Sequence, residues 1–472
     1  MLTNILLNTD SYKASHFKQY PAGTEHVNSY IEARGVSNKA PISAEAATGI
    51  QIVHFGLQMF LKEYLSRPIT QTMIEDAFDI FSAHGEPFNR DGWKYILTKH
   101  KGFLPVRIEA LPEGTPVPVG TAQVQLVNTD PMVPWLTSYL ETSLLRAVWY
   151  PSTVATISRE MKKLILKYLR ITSDDPESQI PFKLHDFGAR GVSSEESAMI
   201  GGTAHIVNFM GTDTVSALLG ARKYYGATMP AFSIPAAEHS TITSWGKENE
   251  AEAYRNMLRQ FAKKGSLVAV VSDSYDIYKA ADQIWGQELK QEVLDSGATV
   301  VIRPDSGNPT YVVLSLLSIL AERFGTTTNT KGYKVLHPSI RIIQGDGVEY
   351  ESVKEILQAM QSAGWSADNV AFGMGGALLQ KLDRDTFKYA MKANATFRHG
   401  TWHDVFKQPV TDSGKRSKAG ILAVTKDRSG NVSTIRKDNL LYETNQLVTV
   451  FENGEIKKTW TFDEVRENAK IS

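Results

Sequence analysis

Thr299-Val300-Val301-Ile302-Arg303-Pro304-Asp305-Ser306-Gly307 passes from an apolar, β-branched run into a cluster of Arg, Pro, Asp, Ser and Gly within one residue. A run of this kind reads as a buried strand, and the cluster as the turn that follows it. The same junction recurs upstream and downstream. Phe182-Lys183-Leu184-His185 leads into Asp186-Phe187-Gly188-Ala189-Arg190-Gly191, and the run from His205 to Phe209 leads into Gly211-Thr212-Asp213. Phe232-Ser233-Ile234 precedes Pro235-Ala236-Ala237-Glu238-His239, and the run from Leu267 to Val271 precedes Ser272-Asp273-Ser274. The run from Ile340 to Ile343 then meets Gln344-Gly345-Asp346-Gly347, and that from Val370 to Phe372 meets Gly373-Met374-Gly375-Gly376. Most stretches between them carry helical spacing, as in 352–363, where Val353, Ile356, Leu357 and Met360 share one side.

Strand, helix, strand at this spacing predicts parallel strands, closed into a β/α barrel or laid out as an open doubly wound sheet. The barrel fits better, because every unit brings polar groups to the C-terminal strand ends rather than one switch point alone. Gly and Asp as ordinary turn formers explain two or three such junctions, not all of them. Residues 151–388 are assigned to the barrel and its catalytic mouth. The flanks, 1–150 and 389–472, differ in texture, with turn-rich segments before the barrel and short strands and hairpins after it. They are expected to form one smaller α+β domain, with Asn453-Gly454 as a hairpin turn.

At 472 residues the chain exceeds the size at which one core usually divides. Its 51 Lys and Arg balance 51 Asp and Glu, which argues against nucleic acid as a partner. The absence of cysteine excludes disulfides, thiolate nucleophiles and thiolate-bound metals. Met1 to Asp10 has no basic leader, and apolar runs elsewhere are strand-sized. No signal peptide and no membrane partner are expected, and the expected location is cytoplasmic.

Arg190, Asp213, His239, Arg303, Asp305 and Asp346 all follow strands, so bases and carboxylates converge on one face. Arg303-Pro304-Asp305 reads as a cation for phosphate oxygens beside an acceptor for ribose hydroxyls or metal-bound water, in preference to a mutual ion pair across the proline. Gly375 and Gly376, like Gly345 and Gly347, are candidates for cradling a phosphate with backbone amides. Lys407, Lys415, Arg416 and Lys418 form a basic loop, and Arg384 and Lys392 precede it; together they suit a dianionic or more highly charged ligand. His399 and His403 have metal-pair spacing but no third ligand nearby, and are set aside.

These strings, with Thr9-Asp10-Ser11-Tyr12-Lys13 and Pro235 to Thr241, resemble in order and along nearly the whole chain the nicotinamide phosphoribosyltransferase family of type II phosphoribosyltransferases. The resemblance implies an irregular seven-stranded β/α barrel with an α+β domain, assembled as a homodimer with shared active sites. It implies transfer of the 5-phosphoribosyl group of 5-phosphoribosyl 1-diphosphate to nicotinamide, with Mg²⁺ and with coupled ATP hydrolysis through a phosphohistidine at His239. Phe187 and Tyr12 match the positions that stack on the ring, and Asp213 the acceptor for the carboxamide. Arg190, His239 and Arg303 match diphosphate contacts, Arg303 also reaching the amide. Asp305, Gly345, Asp346, Gly375 and Gly376 match positions around the ribose and its phosphate. Arg34, Arg384, Lys392, Lys407 and Lys415 match basic positions of the phosphate channel, most of them reached from the second subunit.

Ala189 stands where the family often has an aromatic, and Met374 where a small polar residue is common, which bears on phosphate-loop packing. Nicotinate phosphoribosyltransferase, with the same fold and cosubstrate, is the nearest alternative; Asp213 argues against it, since a carboxylate repels an anionic base. A non-catalytic binding homologue is the alternative from another class.

Overall fold

The computed structural model describes residues 4–411, 416–441 and 444–471, so Lys415 lies outside the described residues. Six of its strands form one parallel sheet: β1 (Leu184–Asp186), β2 (Gly211–Thr212), β3 (Leu267–Val271), β4 (Thr299–Arg303), β5 (Ile340–Gln344) and β6 (Val370–Met374). Their order is β2-β1-β6-β5-β4-β3, and every neighbouring pair is parallel. The result is a half-barrel. Alternation along each strand decides which residues face which layer. Val268 and Val270, Val300 and Ile302, Ile342, and Val370 and Phe372 face outward into the main core against helices. Ala269, Val301, Ile343 and Ala371 face inward and meet Phe187 and Ile234 in a separate small cluster. The helix expected from Val353, Ile356, Leu357 and Met360 spans Tyr350–Ser362 and buries all four.

Two expected strands differ. The run from His205 to Phe209 is the end of helix Glu195–His205 and the turn after it, and only Gly211–Thr212 pairs in the sheet. Its apolar character serves burial: the His205 ring stacks on Phe209 at 5.3 Å, and both are enclosed. Phe232 to Ile234 is not a strand, so the count is six rather than seven. The segment makes one parallel bridge to each edge of the sheet, Phe232 to Gly211 in β2 and Ala236 to Ala269 in β3. Pro235 between them has no N–H to donate and offers the sheet only its carbonyl, which accepts from Ala269 N at 2.9 Å.

The second layer draws on both chain ends. A seven-stranded sheet runs in the order Thr401–Asp404, Tyr389–Arg398, Thr24–Ala33, Ala122–Asn128, Val106–Ala110, Val448–Glu452, Glu455–Ile456. Its last two strands are joined by the expected turn, with Asn453 at φ 51° and Gly454 at φ 90°, a pair of left-handed positions that Asn and Gly tolerate best. The 32-residue helix Glu141–Thr172 runs unbroken through residue 150, so it spans the assigned boundary. Among the described residues no helix is long and apolar enough to cross a membrane.

Candidate active site

The C-terminal ends of the parallel strands carry the side chains predicted to converge, except His239, whose preceding segment only bridges to the sheet edges. After β1 the backbone N–H of Phe187 donates to Met374 O at 3.0 Å, which pins the turn to the end of β6. The Phe187 ring then lies over Gly373, where a Cβ would stand 1.9 Å from the ring carbon Cε2. Beneath it Asp186 is fully buried and accepts from Gly188 N at 2.7 Å. Burial pushes this carboxyl up to about 6 against the pull of that hydrogen bond. Asp213 follows β2 with its N–H donating to Asp186 O at 3.0 Å, and Ser233 Oγ donates to its Oδ1 at 2.5 Å. Phe187, Asp213, Ser233, Ile234 and Arg303 line one cavity of about 420 Å³ that enters the half-barrel. A larger cleft of about 650 Å³, between Leu7 to Asp10 and Ser193 to Ile200, is lined by none of the expected site residues.

The turn after β4 is built by Gly307 at φ 87° and by Asn308, whose Oδ1 accepts from Tyr311 N at 3.0 Å to cap helix Pro309–Phe324. It holds Arg303 and Asp305 together, Nη2 donating to Oδ1 at 2.8 Å. The ion pair across Pro304, the less favoured reading of the sequence, is therefore formed. Arg303 still keeps a buried Nε without a partner, and its guanidinium carbon is 5.5 Å from the Phe187 ring centroid.

His239 opens the short helix His239–Thr243, half exposed, with its Nε2 3.0 Å from Asp273 Oδ1 and its Nδ1 4.0 Å from Asp305 Oδ2. Asp273 Oδ2 accepts from Asp305 N at 3.1 Å and Ser306 Oγ at 2.5 Å. Burial pulls the Asp273 carboxyl upward, yet the hydrogen bonds from Ser306, His239 and Asp305 hold it below the usual carboxylate range. Asp273 thus links β3, β4 and His239, and it is absent from the predicted site. The signal was there, since Ser272-Asp273-Ser274 ends its strand like the other clusters.

Gly345 sits so close that a Cβ would be 3.1 Å from Arg303 Nε and 3.5 Å from Asp305 Oδ1. Asp346 is exposed, and its carboxylate makes no hydrogen bond or ion pair among the described residues. Gly376 opens a short helix beside the turn of exposed Arg190, a Cβ on Gly191 falling 3.5 Å from Gly376 Cα, with Gly375 as the residue before it. Met374 points away from this loop, fully buried in the main core.

The remaining predicted residues form a second group. Tyr12 is exposed on the turn Ser11–Lys18; Arg34 Nε donates to Lys388 O at 3.3 Å; Arg384 pairs with its neighbour Asp385 at 3.0 Å. Lys392 and Lys407 lie close enough to influence each other: burial lowers the Lys392 ammonium, Glu141 opposes the shift, and Arg34, Lys407 and Lys13 lower it further. No hydrogen bond or ion pair joins these five residues to the barrel mouth of the same chain among the described residues.

The model of the "Nicotinamide phosphoribosyltransferase, N-terminal domain" matches residues 4–108, and that of the "Nicotinate phosphoribosyltransferase (NAPRTase) family" matches residues 182–455. A nicotinamide phosphoribosyltransferase of Xanthomonas campestris pv. campestris is 54% identical over 99% of this chain and 98% of its own. The chain belongs to the nicotinamide phosphoribosyltransferase family. A nicotinamide phosphoribosyltransferase of Acinetobacter baylyi is 33% identical over 98% of this chain and 96% of its own. The likeness in fold extends to a nicotinate-nucleotide pyrophosphorylase of Pyrococcus furiosus, with TM-score 0.63 and 17% identity over 99% of this chain and 95% of that one.

Proposed function

We propose that the barrel mouth joins nicotinamide to 5-phosphoribosyl 1-diphosphate, giving nicotinamide mononucleotide and diphosphate, a salvage step toward NAD in the cytoplasm. The observation that carries this reading is the cavity that pairs the Phe187 ring with the Asp213 carboxylate. It suits a flat ring with an amide at its edge: the ring stacks, and the amide NH₂ donates to the oxygen of Asp213 that Ser233 leaves free.

In the reaction the ring nitrogen's lone pair forms the new bond to the anomeric carbon while the carbon–oxygen bond to diphosphate breaks. No proton is removed, so no strong base is required. What the site must supply is orientation, and positive charge where the diphosphate departs. Arg190 and the unpartnered Nε of Arg303 fit that role, while Asp305, Gly345, Asp346, Gly375 and Gly376 fit the ribose and its 5′-phosphate. Arg34, Arg384, Lys392, Lys407 and Lys415, with Tyr12, are read as reaching the mouth of a second copy in a homodimer; the lack of a bond from the described members of this set to the mouth of their own chain supports this. The single bridges of Phe232 and Ala236 support reading that segment as the irregular seventh stave of a closed barrel.

Among the described residues no group of three or more His, Cys, Asp or Glu forms a metal site. Mg²⁺ does not need one, since it is commonly held by one or two carboxylates plus substrate phosphates. The unpaired carboxylate of Asp346 fits such a role, and the ion there would neutralise charge on the diphosphate. His239 is read as the residue phosphorylated by ATP. A ring nitrogen attacks the γ-phosphorus, the bond to ADP breaks, and the other ring nitrogen keeps its proton, with Asp273 holding the ring in orientation. A product assay with nicotinamide or nicotinate, each with and without ATP, tests the whole reading. Mononucleotide from nicotinamide, stimulated by ATP, is expected. Turnover of nicotinate at an equal or higher rate would overturn the base assignment, and an ATP-independent rate with no acid-labile phosphate on the protein would overturn the role of His239.

A further inference from the structure

Strand Thr24–Ala33 carries Glu32, whose side chain is only 4% exposed. An ionised carboxylate at that depth needs a cation and further hydrogen bonds. Lys418 supplies the cation, its Nζ bonding Glu32 Oε2. Tyr30 completes the arrangement: Lys418 N donates to the Tyr30 hydroxyl at 2.8 Å, and that hydroxyl donates to Glu32 Oε1 at 3.3 Å. Lys418 is therefore not a free cation of the basic loop, as the sequence suggested. Its charge is answered inside the sheet.

The contacts on either side give this cluster a consequence. Ser417, next to Lys418 and itself buried, is paired with Lys407 in both directions: Lys407 N donates to Ser417 Oγ at 2.8 Å, and Ser417 N to Lys407 O at 2.9 Å. Tyr30 stands opposite Lys392 in the sheet register, and Arg34 follows Glu32 by two residues. One buried cluster thus ties together the strand that leads to Arg34, the strand that carries Lys392 and the loop that carries Lys407. Burial is the main reason the Lys392 ammonium is depressed, Glu141 opposes the shift, and Arg34 and Lys407 each lie close enough to Lys392 to lower it further. The sheet ladder already fixes the two strands, so the backbone that like charges can push away is the loop of Lys407, which is held through Ser417 beside Lys418.

We propose that the Glu32–Lys418 pair, bridged by Tyr30, is a latch that positions Arg34, Lys392 and Lys407 on one polyanionic group of the substrate. It rests on the reading that these three cations bind phosphates. Glu32 is a positioning residue and touches no ligand. The consequence is selective: loosening the latch weakens the phosphate-bearing substrate and spares the base.

The test uses the full-length enzyme and the Glu32→Gln/Lys418→Met double variant, which removes both charges and leaves neither buried alone. A KM for 5-phosphoribosyl 1-diphosphate raised about tenfold, a nicotinamide KM within about twofold of wild type and a near-native melting temperature are expected. Lys418→Arg, which keeps the pair, should hold the KM near wild type, and Tyr30→Phe, which removes only the bridging hydroxyl, should raise it about threefold. Should the double variant fail to fold, Tyr30→Phe decides the question. Lys407→Ala is run in parallel. A raised KM in Lys407→Ala with wild-type values in the folded latch variants overturns the latch alone. Wild-type values in all of them overturn the phosphate assignment on which the latch rests.

Discussion

Gly373→Ala isolates the contribution of the Phe187 ring without touching that residue. Gly373 lies in β6 and is not among the residues with positive φ, so alanine meets no backbone strain there. The whole effect comes from the new Cβ, which would lie 1.9, 2.2 and 2.7 Å from Phe187 Cε2, Cδ2 and Cζ. Carbon atoms pack at about 3.5 to 4 Å, so the ring has to retreat by roughly 1.5 to 2 Å. Its backbone is pinned to Met374 O and Arg303 stands against its face, so the ring swings on its own side-chain torsions into the cavity where a base would stack. Overpacking of this kind costs about 1 to 3 kcal/mol. Most of it should fall on the base, which corresponds to a nicotinamide KM raised about 5- to 150-fold. The KM for 5-phosphoribosyl 1-diphosphate should stay within about threefold. Steady-state kinetics with each substrate varied in turn, alongside thermal melts, reads both quantities. Phe187→Ala in the Gly373→Ala background should add little, because the ring has already lost its place. A folded Gly373→Ala enzyme with an unchanged nicotinamide KM would refute the stacking role of Phe187.

Asp186→Asn should change how stability depends on pH. The folded carboxyl sits near 6, above its unfolded value, so its contribution is full below about pH 4 and lost as pH rises to about 6, a loss on the order of 3 kcal/mol. The variant keeps an oxygen for Gly188 N and should melt progressively higher than wild type across that window, and parallel melting curves from pH 4 to 7 would disprove it. Asp213→Asn removes the repulsion toward a carboxylate base and adds a donor, narrowing the preference for nicotinamide over nicotinate by about 1.5 to 3 kcal/mol; an unchanged ratio of kcat/KM values rules out Asp213 as the selector. Mixed subunits carrying Asp213→Ala and Arg384→Ala, each inactive alone, should recover about a quarter of wild-type activity if sites are shared across a two-fold dimer, whereas verified heterodimers without activity would place both residues in one chain's site.

Where the sequence was legible, one property explains why. β3 to β6 are five-residue runs, and a strand buried on both faces has to be apolar at nearly every position, so Val268, Val300, Ile342 and Phe372 announce it. The units between β1 and β3 obey no such rule. Gly211–Thr212 is too short to carry a pattern, and Phe232 to Ala236 touches both sheet edges through single bridges around a proline. The site divides the same way. Following a strand is enough to put Asp213, Arg303 and Asp305 at one mouth, because a parallel sheet gathers all its C-terminal ends, whereas His239 arrives there on a segment that only bridges to the sheet edges. Which of them pair depends instead on strand order. Asp273 reaches His239 and the turn after β4 only because β3 and β4 are neighbours and the segment before His239 bridges to β3, facts of topology that no spacing encodes. Lys418 is the extreme case. Its partner Glu32 lies 386 positions away, in a strand that meets it only after both chain ends have folded into one sheet, and a cation that looked free for a ligand is held inside instead.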